Sequence, residues 1–180
     1  HEIYLTGFEI AVKEGSPQAI MTSYNKINGI YSNENRELLM DILRRQWKFQ
    51  GAVITDWGGS NDHVEGVRAG SSIEMPGTGG DSDRQLLEAV KRKDIEEKVI
   101  DQRASEMLKL IEEAGNHRKD AYSVKEHHEM AYQAALESMV LLKNEDNLLP
   151  LRKGARAAVI GEFAEKPRYQ GAGSSLVNPT

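Results

Sequence analysis

Apolar residues fall into two rhythms along the first two thirds of the chain, one of helical period and one of short unbroken runs. Ile3, Tyr4, Phe8, Ala11 and Val12 recur at helical spacing, predicting a helix over 3–14 with Gly15 as its stop. Pro17 then opens the run 19–24, of strand length, and a polar loop over 25–33 follows with Gly29 at its turn. Leu38, Leu39, Ile42, Leu43 and Trp47 line one face of a second helix. After Gly51 the run 52–55 predicts a second strand, which delivers Asp56 to the loop 57–60. A short helix around Val64 and Val67 leads to Gly70, and 72–75 reads as a third strand closed by Pro76-Gly77. Strand and helix alternating in this way is the signature of a parallel α/β sheet. Strands that are apolar without an in-out alternation are buried on both faces, as in a barrel.

The remainder predicts mainly helix. Asp94 and Glu97 have capping-box spacing ahead of Val99, Ala104, Leu108 and Ile111, with Gly115 as a stop. Ser123 and Glu126 repeat that spacing ahead of a helix through Met130, Ala134 and Val140. The turn-rich stretch 144–154, with Pro150, reads as a connection between domains. Residues 157–161 read as a fresh buried strand, followed by the Gly/Ser loop 171–175, and there is no internal repeat.

Composition alters this picture little. Of the 180 residues, 39% are hydrophobic and 28% charged, with a net charge of -5, as expected of a globular protein. No apolar run is long enough to span a membrane, so no membrane partner is expected. Lysines and arginines are scattered among carboxylates, so no nucleic-acid partner is expected either. The absence of cysteine excludes disulfides and thiolate metal sites. Together with the lack of a visible signal it leans toward a cytoplasmic location, although both ends look cut and the N-terminus lacks a starting methionine.

Candidate chemistry gathers at the C-terminal ends of the predicted strands, where parallel barrels carry their active sites. Asp56 ends a buried strand, so its carboxylate is held rigidly enough to attack or to act as a base. Trp57 beside it offers a flat apolar surface of the kind that stacks on a sugar ring. From position alone Asp56 reads equally well as a cap of the next helix or as an acceptor of loop amides. Tyr24 is either a donor to that carboxylate or a half-buried barrel tyrosine, and Glu74 either reaches the site or holds the last barrel loop. His63 follows the loop after Asp56 and either faces the pocket or, as the favoured reading, is a solvated loop histidine. Adjacent His127 and His128 point in different directions on a helix, so no metal is assigned. Asp81 and Asp83 read as caps flanking the Gly-rich loop 77–80. The 171–175 loop has no lysine for a Walker pattern, so no phosphate site and no cofactor are expected.

Four ordered segments carry a resemblance: 21–29 (MTSYNKING), 51–58 (GAVITDWG), Ala69-Gly70 to Glu74-Met75-Pro76-Gly77, and 138–145 (SMVLLKNE) with 148–151 (LLPL) after it. Together they resemble glycoside hydrolase family 3. The resemblance implies an α/β chain made of the C-terminal strands and helices of a (β/α)8 TIM barrel, followed by the beginning of an α/β sandwich domain. It places the barrel part at 1–115, a helix and interdomain linker at 116–154, and the sandwich start at 155–180. It implies a retaining hydrolase of terminal β-D-glucosides, with Asp56 as nucleophile and Tyr24 and Trp57 lining the sugar pocket. Xylosidase, arabinofuranosidase or N-acetylhexosaminidase activity of the same family, or a non-catalytic sugar-binding fragment, are the alternatives. Arg168 and Gln170 precede the loop that would face the barrel mouth, where they touch substrate or close the domain interface. The expected partners are carbohydrate substrate and the rest of the protein's own barrel and sandwich, and a homo-oligomer is compatible with the resemblance. The Lys-His pair and the acid/base glutamate of the family have no match in this chain, which implies that the 180 residues alone are inactive.

Overall fold

The computed structural model describes residues 1–116, 122–171, 173 and 176. The chain divides into two compact units, His1–Ala121 and Tyr122–Thr180.

In the first unit, helix α1 (Thr6–Gly15) runs through the glycine expected to stop it. Ser16 ends it instead, in the left-handed region at φ 46°, donating its N–H to the Val12 carbonyl. Strand β1 (Ala19–Met21) pairs in parallel with β4 (Ala52–Ile54), Ala19 opposite Ala52 and Met21 opposite Ile54. The helix connecting them, Glu37–Gln46, is of π type: the N–H of Trp47 reaches the carbonyl of Ile42, five residues back, at 3.0 Å. Its face Leu39, Ile42 and Leu43 is buried with Val12, Trp47, Phe49, Val53 and Ala69. That set explains why β4 has no polar face: Ala52 and Val53 are fully buried.

The segment expected as a third strand makes a single parallel bridge, Ile73 to Ile54. Its ladder is interrupted because the Val53 N–H is taken by the Ser72 hydroxyl at 2.9 Å rather than by a carbonyl. The order β1, β4, Ile73 still brings successive segments side by side in parallel, each crossover carrying a helix. Helix α2 (His63–Ala69) is capped by Asp62, whose carboxylate accepts the Glu65 N–H at 2.9 Å. It lies close against the turn at Asn33: a Cβ on Gly66 would fall 2.8 Å from the Asn33 amide nitrogen. Val67 packs with Ala89 of α3 (Asp81–Lys91) and with Ile95, forming a second small core.

Several expectations are corrected here. The loop 25–33 is a hairpin, β2 (Lys26–Ile27) against β3 (Ile30–Tyr31), turned by Asn28 and Gly29 at φ 52° and 86°. Asn-Gly with both residues at positive φ is the turn that matches the twist of two antiparallel strands. Asp94 does not cap α4 (Glu97–Asn116), because its carboxylate pairs with Arg92 at 2.8 Å. Asp81 and Asp83 sit inside the first turn of α3, and the Thr78 hydroxyl accepts the Ser82 N–H there at 3.0 Å.

A buried charge cluster ties α4 to the π-helix and to the start of the third segment. Glu106 lies 2.8 Å from Arg44 and accepts the Ser72 hydroxyl on the same oxygen at 2.5 Å. Arg103 approaches the other oxygen at 2.7 Å, where its charge attracts without an aligned hydrogen bond. All three side chains are at most 10% exposed. Burial pushes the Glu106 carboxyl up and both guanidiniums down, against their mutual attraction. Arg44 also donates to the carbonyls of Gly51 and Gly70 at 3.1 Å each, holding the entries to β4 and to the third segment.

In the second unit, α5 (Val124–Ser138) is capped as expected, Ser123 accepting the Glu126 N–H at 3.2 Å. The expected strand 157–161 does not form: Val159 and Ile160 are exposed, and the described residues supply no neighbouring strand to pair with them. A short helix, α6 (Glu162–Glu165), follows.

Candidate active site

The parallel ladder sets the site by placing two strand exits next to each other. The Thr22 N–H donates to Ile54 at 2.9 Å, so the chain leaving β1 runs beside the chain leaving β4. Tyr24 and Asp56 therefore emerge together although 32 positions separate them. The Tyr24 hydroxyl lies 2.8 Å from Asp56 Oδ1 and 2.9 Å from the Trp57 carbonyl, one donor shared between two acceptors. The Trp57 N–H also donates to Asp56 Oδ1, at 2.6 Å. Oδ2 keeps no hydrogen-bond partner among the described residues. Asp56 is half-buried, whereas Tyr24 and Trp57 are 56% and 61% exposed. The carboxylate is thus gripped through one oxygen and open at the other, beneath an uncovered aromatic face.

Asp56 does not cap the next helix, since Asp62 caps α2, but its carboxylate does bind a loop amide, that of Trp57. The loop after Asp56 is fixed at several points. Gly59 donates to the Asp56 carbonyl and Gly58 to the Met75 carbonyl, each at 2.8 Å. Thr55 and Met75 exchange two further bonds, Met75 N–H to the hydroxyl at 2.8 Å and the hydroxyl to the Met75 carbonyl at 3.1 Å. The far end is held by Glu34, which accepts the N–H groups of Asn61 and Asp62 at 3.0 and 2.7 Å. Behind Tyr24, Ser32 closes the hairpin onto Ser23, accepting its N–H at 2.9 Å and donating to its carbonyl.

Of Glu74 and His63, only His63 departs from the solvated-loop reading. His63 is no solvated loop residue: it opens α2 with its side chain 16% exposed, and its Nδ1 lies 3.7 Å from Glu74 Oε2, itself 12% exposed. Nothing in the local sequence marks Glu34 or Ser32, which the fold sets against the Asn61–Asp62 amides and against Ser23. Arg168 is exposed and Gln170 half-buried within the second unit. His127 stacks on Tyr122, ring centres 5.4 Å apart. Of the loop 171–175, only residues 171 and 173 are described. Among the described residues no three metal-ligating side chains converge, and no helix is long and apolar enough to cross a membrane.

The hydrogen bond to Asp56 holds the Tyr24 phenol above its ordinary pKa, aided by desolvation and by the carboxylate's charge. Ionising the phenol removes the donor and sets two anions together, so the contact persists at neutral pH and is lost only as the pH rises through the elevated value. Asp56→Asn is accordingly expected to lower the Tyr24 titration toward the normal range. Tyrosinate absorbance, read by difference against Tyr24→Phe, checks this; an unchanged titration contradicts it.

Residues 1–110 match the Glycosyl hydrolase family 3 N terminal domain, and residues 139–180 match the Glycosyl hydrolase family 3 C-terminal domain. The chain belongs to glycosyl hydrolase family 3. Its first unit is part of the TIM barrel that forms the N-terminal domain of that family. The chain is 47% identical over 181 residues to thermostable beta-glucosidase B of Acetivibrio thermocellus, covering 99% of this chain and 24% of that protein. It is 43% identical to an exo-alpha-(1->6)-L-arabinopyranosidase of Bifidobacterium breve, covering 99% of this chain and 25% of that one. Beta-glucosidase 3B of Thermotoga neapolitana, solved with glucose, superposes with a TM-score of 0.78 at 35% identity, over 99% of this chain and 26% of that structure. The chain therefore spans about a quarter of the length of these relatives.

Proposed function

We propose that the protein containing this chain is a retaining β-glucosidase in which Asp56 is the nucleophile. The observation that carries the reading is the Asp56 carboxylate itself, held through Oδ1 by Tyr24 and Trp57, with Oδ2 unengaged among the described residues. In the first step Oδ2 attacks the anomeric carbon of a terminal β-D-glucosyl residue. The bond to the aglycone oxygen breaks, and that oxygen takes a proton from an acid supplied elsewhere in the protein. Water then attacks the glycosyl ester, giving up a proton to the same residue acting as base, and glucose leaves with its configuration retained. Tyr24 holds Asp56 in its attacking orientation, and the exposed Trp57 ring stacks on the sugar. Incubating the full-length enzyme with an activated 2-deoxy-2-fluoro-glucoside traps the ester, and the label is expected on Asp56. Label on any other residue overturns the assignment.

The second reading is an exo-acting pentopyranosidase, favoured by the 43% identical Bifidobacterium relative named as an arabinopyranosidase. Comparing kcat/KM for aryl β-D-glucopyranoside and aryl α-L-arabinopyranoside separates the two, since the same nucleophile serves both. The acid/base glutamate has no match in these 180 residues, so the isolated chain is expected to show no turnover of either substrate. Measurable hydrolysis by the isolated chain contradicts this.

A further inference from the structure

His63 and Glu74 stand at opposite ends of the segment that carries the site. His63 is the first residue of α2, directly after the loop bearing Trp57, and Glu74 lies between the Ile73 bridge and Met75. That loop is tied to Met75 through Gly58 and to Glu34 through Asn61 and Asp62. The contact between the imidazole and the carboxylate, at 3.7 Å, closes the remaining side. It is too long for a direct hydrogen bond and sets two polar groups against one another at close range. With 16% and 12% of their side chains exposed, both groups face one another more than they face solvent. A half-withdrawn carboxylate at this depth is costly unless a polar or cationic partner answers it.

We propose that His63 and Glu74 act together as positioning residues that set the Trp57 loop, and through it sugar binding, without touching the substrate. This rests on the reading of Asp56 as nucleophile and Trp57 as the sugar platform. The direct alternative is that Glu74 bonds a sugar hydroxyl itself, through Oε1, the oxygen not set against His63. Asp56 keeps its own anchors in Tyr24 and the Thr55–Met75 exchange when the pair is lost, so binding is expected to suffer more than chemistry.

The test is a double-mutant cycle in the full-length enzyme, with His63→Ala, Glu74→Ala, their combination, and His63→Arg to supply a polar partner to Glu74 in place of the imidazole. Each single variant is expected to raise KM about tenfold with kcat changed less than about threefold, as a slackened substrate platform does. The double variant is expected to be no worse than either single one, and His63→Arg to recover most of the loss. Acrylamide quenching of Trp57, taken by difference against Trp57→Phe, is expected to rise in the single variants and fall back in His63→Arg. Should His63→Ala fail to fold, His63→Gln carries the same measurement. Unchanged kinetics in both single variants, losses that multiply in the double, or a kcat defect confined to Glu74→Ala each overturn the proposal. An Asp56→Asn control separates the two levels: an inactive control beside unaffected His63 and Glu74 variants defeats only the pair, whereas an active control defeats the nucleophile assignment beneath it.

Discussion

Asp56→Asn in the full-length enzyme is expected to lower kcat by on the order of 10⁴-fold or more, the scale seen when a group that works as one unit with its partners is removed. The carboxamide fills the same space and its oxygen still accepts from Tyr24 and Trp57, so the fold around β4 is expected to survive unchanged. What disappears is the anionic oxygen that forms the glycosyl ester. Asp56→Gly sharpens the test, because it opens room for an external anion. Azide supplied to that variant with an activated β-glucoside is expected to restore turnover by a single displacement, yielding the α-glucosyl azide. Steady-state rates of both variants with an aryl glucoside, and the configuration of the azide product, are the measurements. Retention of more than a few per cent of activity by Asp56→Asn contradicts the assignment.

The second large effect concerns stability. Glu106→Ala leaves Arg44 and Arg103 facing each other in a site where neither is more than 8% exposed. Removing one partner from a buried charge cluster typically costs about 3–5 kcal/mol, because the remaining charge is uncompensated. The loss is compounded here by the carbonyls of Gly51 and Gly70, which depend on Arg44 being held in place. Urea denaturation followed by fluorescence of the buried Trp47 is expected to show this loss in the domain carrying it. Replacing Arg44, Arg103 and Glu106 together with methionine or leucine is expected to cost less than Glu106→Ala alone, since no buried charge is then left over. A Glu106→Ala variant within about 0.5 kcal/mol of the parent, the range of an ordinary surface substitution, contradicts the account.

These two residues mark how far the sequence could be read. Asp56 was legible, because the apolar run 52–55 announces a buried strand and the aspartate terminates it. The helical faces around Leu39 and Val67 were legible for the same reason, since periodicity records which side of an element meets the core. The Asn28-Gly29 pair is a hairpin signal, but the strands it joins are only two residues each, too short for their own pattern to distinguish them from a polar loop. Asp94 shows the opposite failure: the spacing of a capping box was real, but Arg92 two residues away competes for the same carboxylate. Glu106 carries no sequence signal at all, being one glutamate among many on a long amphipathic helix.

Family membership, the parallel α/β order and the nucleophile candidate were thus determined by sequence alone, because each rests on local pattern or on contiguous motifs. Tertiary structure decided which distant residues meet. The 2.8 Å contact of Tyr24 with Asp56, the grip of Glu34 on the Asn61–Asp62 amides and the His63–Glu74 contact all join separate strand exits and loops. So does the Arg44–Glu106–Arg103 cluster, whose members lie up to 62 positions apart. For Tyr24 and Asp56 the physical origin is the parallel register of β1 and β4, which sets the two exits side by side. Register is fixed by packing of whole elements against one core, and no window of neighbouring residues records it.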